Sequence, residues 1–143
     1  MITKTANMKK NKDLIYISGP MSSLQREQYI ARFSLAEQLL RQQGYTRIVN
    51  PVRVWTCRFP WLFRIIGYKL TLFYDLWILT RCDRIYKMPG WQQSRGANIE
   101  SCVAYHFGVF GLAKPAREVI DKAIEKLIKK QADRLPPPPP PSQ

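Results

Sequence analysis

Alternating blocks of apolar and polar positions divide the chain into short strands and helices. The apolar run DLIYIS (Asp13–Ser18) is rich in β-forming residues and stops at Gly19-Pro20, as a buried strand that ends in a tight turn does. Apolar residues then recur at mostly helical spacing over Leu24–Gln43, and Gly44 follows as a stop signal. TRIVNP (Thr46–Pro51) is a second short strand. The first third is therefore predicted to be a β-α-β unit with a right-handed crossover.

The rest of the chain continues the alternation. Residues 54–83 are dense in aromatic side chains and are predicted to be irregular and partly helical, with a helix from about Lys69 to Thr80. DRIYKM (Asp83–Met88) is the third strand, and it ends at the turn Pro89-Gly90. A capped helix from Ser94 to about Gly108, a short strand within GVFGLAKP and an amphipathic helix over Ala116–Arg134 follow.

Strands that alternate with helices are typical of a doubly wound, mostly parallel α/β sheet. The pattern predicts a single Rossmann-like or flavodoxin-like domain of about four to five strands over residues 13–134. Residues 1–12 are a basic tail. Residues 135–143 (LPPPPPPSQ) are a proline-rich tail, either an inert polyproline II end or a docking peptide for a proline-reading domain.

Length and composition set the class of protein. The 143 residues, 45% of them hydrophobic, suffice for one core but not for two. No apolar run reaches the roughly 18 residues of a membrane span, and the N-terminus lacks the apolar segment of a secretory signal, so we expect a cytoplasmic protein without membrane contact. The three cysteines form no CxxC pair, and the single histidine lies four residues after Cys102, which indicates reduced thiols and no metal site.

The charge is strongly positive, +13 from 23 basic and 10 acidic residues. Between Arg53 and Arg95 there are eight basic residues and only two acidic ones. Such an excess is either a solvated basic face or a surface for an anion. The anion would be a phosphate-bearing substrate or nucleic acid.

Ligands bind beyond the carboxyl ends of the strands in such a sheet, and three motifs follow those ends. They are SGPM (Ser18–Met21), NP (Asn50-Pro51) and PGWQQSRGANIE (Pro89–Glu100), and we expect them to converge. Ser94 and the N–H groups behind it favour an anion at a helix N-terminus. Gly96 lets a ligand approach the backbone closely.

Two carboxylates and a tyrosine are the candidate catalytic residues. Glu100 lies one turn after Gly96 on the same side of its helix, and we expect the positive helix end to keep it ionised as a nucleophile. Asp75 stands among aromatic residues, and burial would raise its pKa, as a proton donor requires. Ordinary alternatives are solvent-facing helix positions for both carboxylates and a core position for Tyr16. A nucleophile and an acid are the minimum for cleaving a glycosidic bond through a covalent intermediate.

The chain resembles the nucleoside 2-deoxyribosyltransferases and the related 2′-deoxynucleoside 5′-phosphate N-hydrolases, and within them a small bacterial and phage branch. The resemblance spans about residues 13 to 115 and implies a Rossmann-like fold, a nucleoside or nucleotide substrate, no cofactor and a homo-oligomer. The motifs that carry it are YISGPM (Tyr16–Met21), NP (Asn50-Pro51), DLWILTRCDRIYKMPGW (Asp75–Trp91) and SRGANIE (Ser94–Glu100).

The resemblance also implies a role for each candidate. Glu100 would attack the anomeric carbon of a deoxyriboside, Asp75 would position the sugar or protonate the base, and Tyr16 would contact the nucleophile or the sugar. Ser94 stands where the nucleotide hydrolases carry a phosphate-binding serine, which favours a 5′-phosphorylated substrate. The aromatic stretch Trp55–Tyr68 would supply a stacking wall for the base or a subunit interface. The predicted substrate-binding residues are Ser18, Gly19, Pro20, Met21, Asn50, Pro51, Gly90, Trp91, Ser94, Arg95 and Gly96.

Two other functions fit the same fold. The stretch MPGW…GANIE is faintly similar to the PGGxGTxxE loop of the nucleotide phosphoribohydrolases that release cytokinins, although it lacks the second glycine and the threonine. The chain is alternatively a non-catalytic protein that senses nucleotides or binds nucleic acid through its positive charge. Oligonucleotide binding that survives Glu100→Ala would favour this last interpretation.

Overall fold

The computed structural model describes residues 11–21, 24–52 and 72–134. The predicted stacking wall at Trp55–Tyr68, the proline tail and most of the basic N-terminal tail lie outside the described residues. The first strand begins at Asn11, two residues before the predicted start of the domain.

The described elements follow the predicted order of strands and helices. Each predicted strand and helix that falls on the described residues is present, and the bounds differ by a few residues at most ends; the partly helical stretch predicted before Lys69 and the start of the helix predicted there lie outside the described residues. In chain order they are β1 (Asn11–Ser18), α1 (Arg26–Gln42), β2 (Tyr45–Val49), α2 (residues 72–79), β3 (Arg84–Lys87), a 3₁₀ turn (Trp91–Gln93), α3 (Arg95–His106), β4 (Phe110–Gly111) and α4 (Lys114–Arg134).

The four strands form one parallel sheet in the order β2-β1-β3-β4, which confirms the predicted α/β class. Tyr16 in the middle strand β1 lies beside Val49 of β2 and Ile85 of β3. The chain leaves β1 for one neighbour and later returns to the other side of β1. This order places a topological switch point between β1 and β3, where α/β sheets bind ligands at the carboxyl ends of the strands.

Helices cover both faces of the sheet, because side chains alternate along each strand. Ile15 and Ile17 point to one face, where they pack against residues of α1 and α4 such as Phe33 and Ile120. Tyr16 points to the other face, in a second cluster with residues of α2, α3 and β3: Leu79, Ala104 and Ile85. Residues 16 and 18 therefore face α2 and α3, the helices that carry Asp75 and Glu100.

Two polar contacts fasten the sheet and its helices. The Asp83 carboxylate, just before β3, accepts a 2.8 Å hydrogen bond from the backbone N–H of Leu14 in β1. Gln131 of α4 accepts from the Arg32 guanidinium and donates to the carbonyl of Gln28, and so joins α4 to α1. Among the described helices, none is long and apolar enough to cross a membrane.

Candidate functional site

The loops that follow β1 and β3 lie against each other. A Cβ atom on Gly19 would lie 3.2 Å from the Cβ atom of Met88, a tighter contact than side chains normally make. Gly90 has φ of +90°, which glycine adopts without strain, and a Cβ atom added there would lie 4.0 Å from Pro20 Cγ. The motifs SGPM and MPGW thus meet at the switch point.

Ser94 begins α3 as its N-cap. Its Oγ atom accepts a hydrogen bond from the N–H of Ala97 at 3.4 Å, and the side chain is buried. Asn98, which the sequence interpretation did not single out, donates from its amide to the carbonyls of Gln92 and Ser94 at 2.8 Å and so secures the loop before the helix. Arg95 is exposed in the first turn of α3.

The NP motif follows β2 at the same edge of the sheet. The Asn50 side chain is buried, and its Oδ1 atom accepts a 3.1 Å hydrogen bond from the N–H of Val52, so at least this oxygen is engaged in a local turn. Pro51 is buried beside it. Met21, at the end of SGPM, packs against the core cluster of α1 and α4, on the opposite side of the sheet from Tyr16. Among the described contacts, neither the hydrogen bond of Asn50 nor the packing of Met21 involves Glu100.

Three buried polar atoms come together without partners. The Tyr16 phenol oxygen, Ser18 Oγ and Glu100 Oε2 are each inaccessible to solvent and lack a hydrogen-bond partner among the described residues. Both hydroxyls nevertheless lie close enough to Glu100 to stabilise its carboxylate. The arrangement therefore offers nearby polar groups whose hydrogen-bonding capacity is unused, which in a protein interior is costly unless a ligand satisfies it.

The structure corrects one expectation for Glu100. Burial raises the pKa of its carboxyl from 4.5 to about 8, and the nearby Asp75 charge adds to this, while the proximity of the Tyr16 and Ser18 hydroxyls opposes it. The prediction that the helix end keeps Glu100 ionised is wrong, because the residue lies in the second turn of α3 and the field of the helix end acts mainly over the first. Desolvation is the larger effect.

Asp75 on α2 completes the group. Burial raises the pKa of its carboxyl from 3.8 to about 7. Its charge also raises the pKa values of both Glu100 and Tyr16, so the three titratable groups lie within electrostatic reach of one another. The structure thus brings together Tyr16 and Ser18 of β1, Asp75 of α2 and Glu100 of α3. Among the described residues, no group of three or more His, Cys, Asp and Glu side chains is placed to hold a metal ion.

Lys87 is a nearby cation that the sequence interpretation missed. It lies beside Ser18 in the sheet, so both side chains leave the same face. Its ammonium donates to Ser101 Oγ at 3.2 Å and lies 4.4 Å from the ring centroid of Trp91, a predicted substrate-binding residue. The signal in the sequence was the alternation of DRIYKM, which puts Lys87 on the same face as Ile85.

Comparison with known proteins identifies a family. A protein-family model described as "Domain of unknown function (DUF4406)" matches residues 13–110. No curated protein and no solved structure matches the chain. The matched segment contains every residue of the candidate site.

Proposed function

The chain belongs to the DUF4406 family, and we propose that it cleaves the N-glycosidic bond of a deoxynucleoside or deoxynucleoside 5′-monophosphate, by hydrolysis or by transfer to another base. Glu100 is the proposed nucleophile and Asp75 the proposed acid. The resemblance of YISGPM and SRGANIE to the deoxyribosyltransferases supports this proposal.

The observation that carries the proposal is the set of unpartnered atoms around Glu100. Oxygen atoms of Tyr16, Ser18 and Glu100 are buried at the carboxyl end of β1 with no partner among the described residues. A sugar supplies hydroxyl groups and an electrophilic carbon, which suit two hydroxyls beside a carboxylate. Natural proteins rarely leave three such groups unsatisfied, and functional sites are where such exceptions are found.

The proposed chemistry has two steps. A carboxylate oxygen of Glu100 forms a bond to the anomeric carbon while the bond from that carbon to the base nitrogen breaks, and the departing base takes the proton of Asp75. Water then attacks the same carbon and gives its proton to Asp75, and the bond to Glu100 breaks. If a second base attacks instead of water, the outcome is transfer.

The raised pKa values place the protonation equilibria of both carboxyls near neutral pH. At about 7, the pKa of Asp75 lets it hold a proton for the leaving base at neutral pH. At about 8, the pKa of Glu100 means that the nucleophile must first lose a proton. The Tyr16 phenol favours the ionised form of Glu100 and is therefore the proposed positioning group for the nucleophile.

A 5′-phosphate is the proposed determinant of substrate choice. Ser94 caps α3, and the exposed Arg95 follows it in the first turn. A hydroxyl, an arginine and the N-terminal end of a helix attract a phosphate, whereas a carboxylate at either position would repel it. The net charge of +13 acts in the same direction.

Release of free base from a panel of deoxynucleosides and their 5′-monophosphates tests the proposal, with and without an acceptor base. We expect wild-type turnover that is lost in Glu100→Ala and faster turnover of the monophosphates. Glu37→Gln is a matched control, because Glu37 is a buried glutamate of α1 that pairs with Arg41 outside the site. No base release from any substrate by the folded protein would refute the proposal.

A further inference from the structure

A cluster of aromatic side chains is exposed at the end of α3 and on β4. The relative exposure is 84% for Tyr105, 64% for Phe107 and 71% for Phe110. Burial of aromatic side chains is favourable, so three that are left in water within six residues are unfavourable for an isolated domain. A group of exposed aromatic side chains indicates a binding surface for a ligand or a macromolecule.

A groove of about 310 Å³ runs beside these aromatics. It exists because β4 pairs only with Arg84 and Ile85, so the last part of β3 has no strand beside it on that side among the described residues. Glu100 and Asp75 do not line the groove, whereas Lys87, which does, lies beside Ser18 in the sheet. Among its lining residues are Ile85, Lys87, Ser101, Ala104, Tyr105 and Phe110.

The charge of this surface is positive. Lys87 lines the groove, and its ammonium is held by Ser101 and by the face of Trp91. The lining residues include no carboxylate, and the sequence from residue 101 to residue 117 contains Lys114 and Arg117 but no aspartate or glutamate. Since the whole chain carries +13, this surface attracts an anion, and a second copy of the chain would bring positive charge to it.

We infer that this groove binds single-stranded nucleic acid. Unpaired bases stack on the exposed rings of Tyr105 and Phe110, and a phosphate contacts Lys87. Stacking on aromatic side chains combined with a positively charged groove is how proteins bind single strands without sequence preference. A duplex fits less well, because its bases are already stacked on each other and offer no free face. This binding is independent of the reaction proposed for Glu100.

Fluorescence anisotropy of the full chain with a labelled oligothymidylate of about 12 nucleotides tests the inference. Each of Tyr105→Ala and Phe110→Ala should weaken binding by about 5- to 100-fold, the usual effect of losing one stacked base. Phe73→Ala is the matched control, because Phe73 is 69% exposed on α2 and does not line the groove, and its affinity should equal that of the wild type.

Two further variants separate the contributions. Lys87→Gln should lower the slope of log affinity against log salt by about 0.7, the value of one phosphate contact to a single strand. Glu100→Gln should leave affinity unchanged, so that loss of base release and loss of oligonucleotide binding are distinguishable. Thermal unfolding of Tyr105→Ala and Phe110→Ala, whose side chains are exposed, should match the wild type and so exclude misfolding as the cause.

Several results would overturn the inference. Equal affinity of the wild type and both aromatic variants would show that charge alone binds the oligonucleotide. Equal affinity for a blunt duplex would exclude base stacking. If light scattering shows that Tyr105→Ala and Phe110→Ala change the oligomer mass while oligonucleotide affinity stays the same, the groove is an interface between copies of the chain.

Discussion

Glu100→Gln should stabilise the protein at alkaline pH while it abolishes the proposed reaction. Glutamine has the shape of glutamate and is neutral at every pH. The wild-type carboxyl is buried, and burial raises its pKa from 4.5 to about 8. Between these pH values the folded protein keeps a proton that the unfolded chain has lost, so wild-type stability falls as pH rises. The Glu100→Gln variant does not lose stability in this way, because its side chain does not titrate.

The size of the effect follows from the interval between the two pKa values. Each pH unit within it corresponds to about 1.4 kcal/mol, so the interval from 4.5 to about 8 gives at most about 5 kcal/mol. Relaxation of the protein and entry of water lower the cost of a buried charge, and we expect about 2–4 kcal/mol. The difference in free energy of unfolding should be near zero below about pH 4.5, grow through the interval and level off above about pH 8.

The assay is urea unfolding of both proteins at intervals from about pH 4 to about pH 9, with free energies from linear extrapolation. Glu37→Gln is the control with the opposite sign. It removes the 3.4 Å ion pair with Arg41, which is 51% exposed, and should cost at most about 1 kcal/mol at high pH. Replacement of a buried glutamate by glutamine is therefore not expected to stabilise the protein at alkaline pH in general.

A stability difference between Glu100→Gln and the wild type that does not change with pH would refute the raised pKa of the Glu100 carboxyl. So would a variant that is less stable than the wild type at pH 9, since that would mean that the carboxylate is satisfied by partners in the folded protein. Either outcome would remove the physical basis for treating the buried oxygen atoms as unused.

Three other predictions concern the same site. Base release should follow a bell-shaped pH profile with limbs near about 7 and about 8, because Asp75 must be protonated and Glu100 ionised, and in Asp75→Asn the alkaline fall should disappear in steady-state assays. Tyr16→Phe should lower kcat by about 10- to 100-fold and move the alkaline limb to higher pH, because the phenol lowers the pKa of Glu100, which is the higher of the two values; an unchanged alkaline limb would exclude this contact. Gly19→Ala should lower the free energy of unfolding by about 1–3 kcal/mol in denaturant titrations, whereas Gly111→Ala, whose added methyl meets nothing within 4 Å, should unfold like the wild type.

The order of elements could be predicted from the sequence because its breaks are strong. Gly19-Pro20, Gly44 and Pro89-Gly90 end elements at positions where the structure also ends them. The continuous apolar run in DLIYIS marked a buried strand, and the structure covers it on both faces. Turn residues and periodicity are local properties of the sequence, so they predict strands and helices without knowledge of long-range contacts.

The protonation state of Glu100 could not be predicted, because it depends on packing. The sequence places Glu100 close to a helix end, and this favours an ionised carboxylate. The structure adds the neighbours from β1 and α2, which exclude water and bring the Asp75 charge close. These contacts join residues that are distant in the chain, so the spacing of residues within one helix cannot predict them.

Lys87 and the groove were missed for a similar reason. A lysine at the end of a short strand gives no sign of its partners, and its contacts with Ser101 and Trp91 follow from the return of α3 over the sheet. The groove depends on how short β4 is, only Phe110 and Gly111. A short fourth strand within GVFGLAKP was expected, but its length and the open edge of β3 follow from the pairing alone.

Mass spectrometry of the protein quenched in acid during turnover of a deoxynucleoside 5′-monophosphate tests directly whether Glu100 forms the covalent intermediate. We expect a peptide containing Glu100 that carries the mass of the deoxyribosyl phosphate. This adduct should be absent without substrate and absent in Glu100→Gln. Base release that proceeds in Glu100→Gln, or an adduct on another residue, would contradict the claim that Glu100 is the nucleophile.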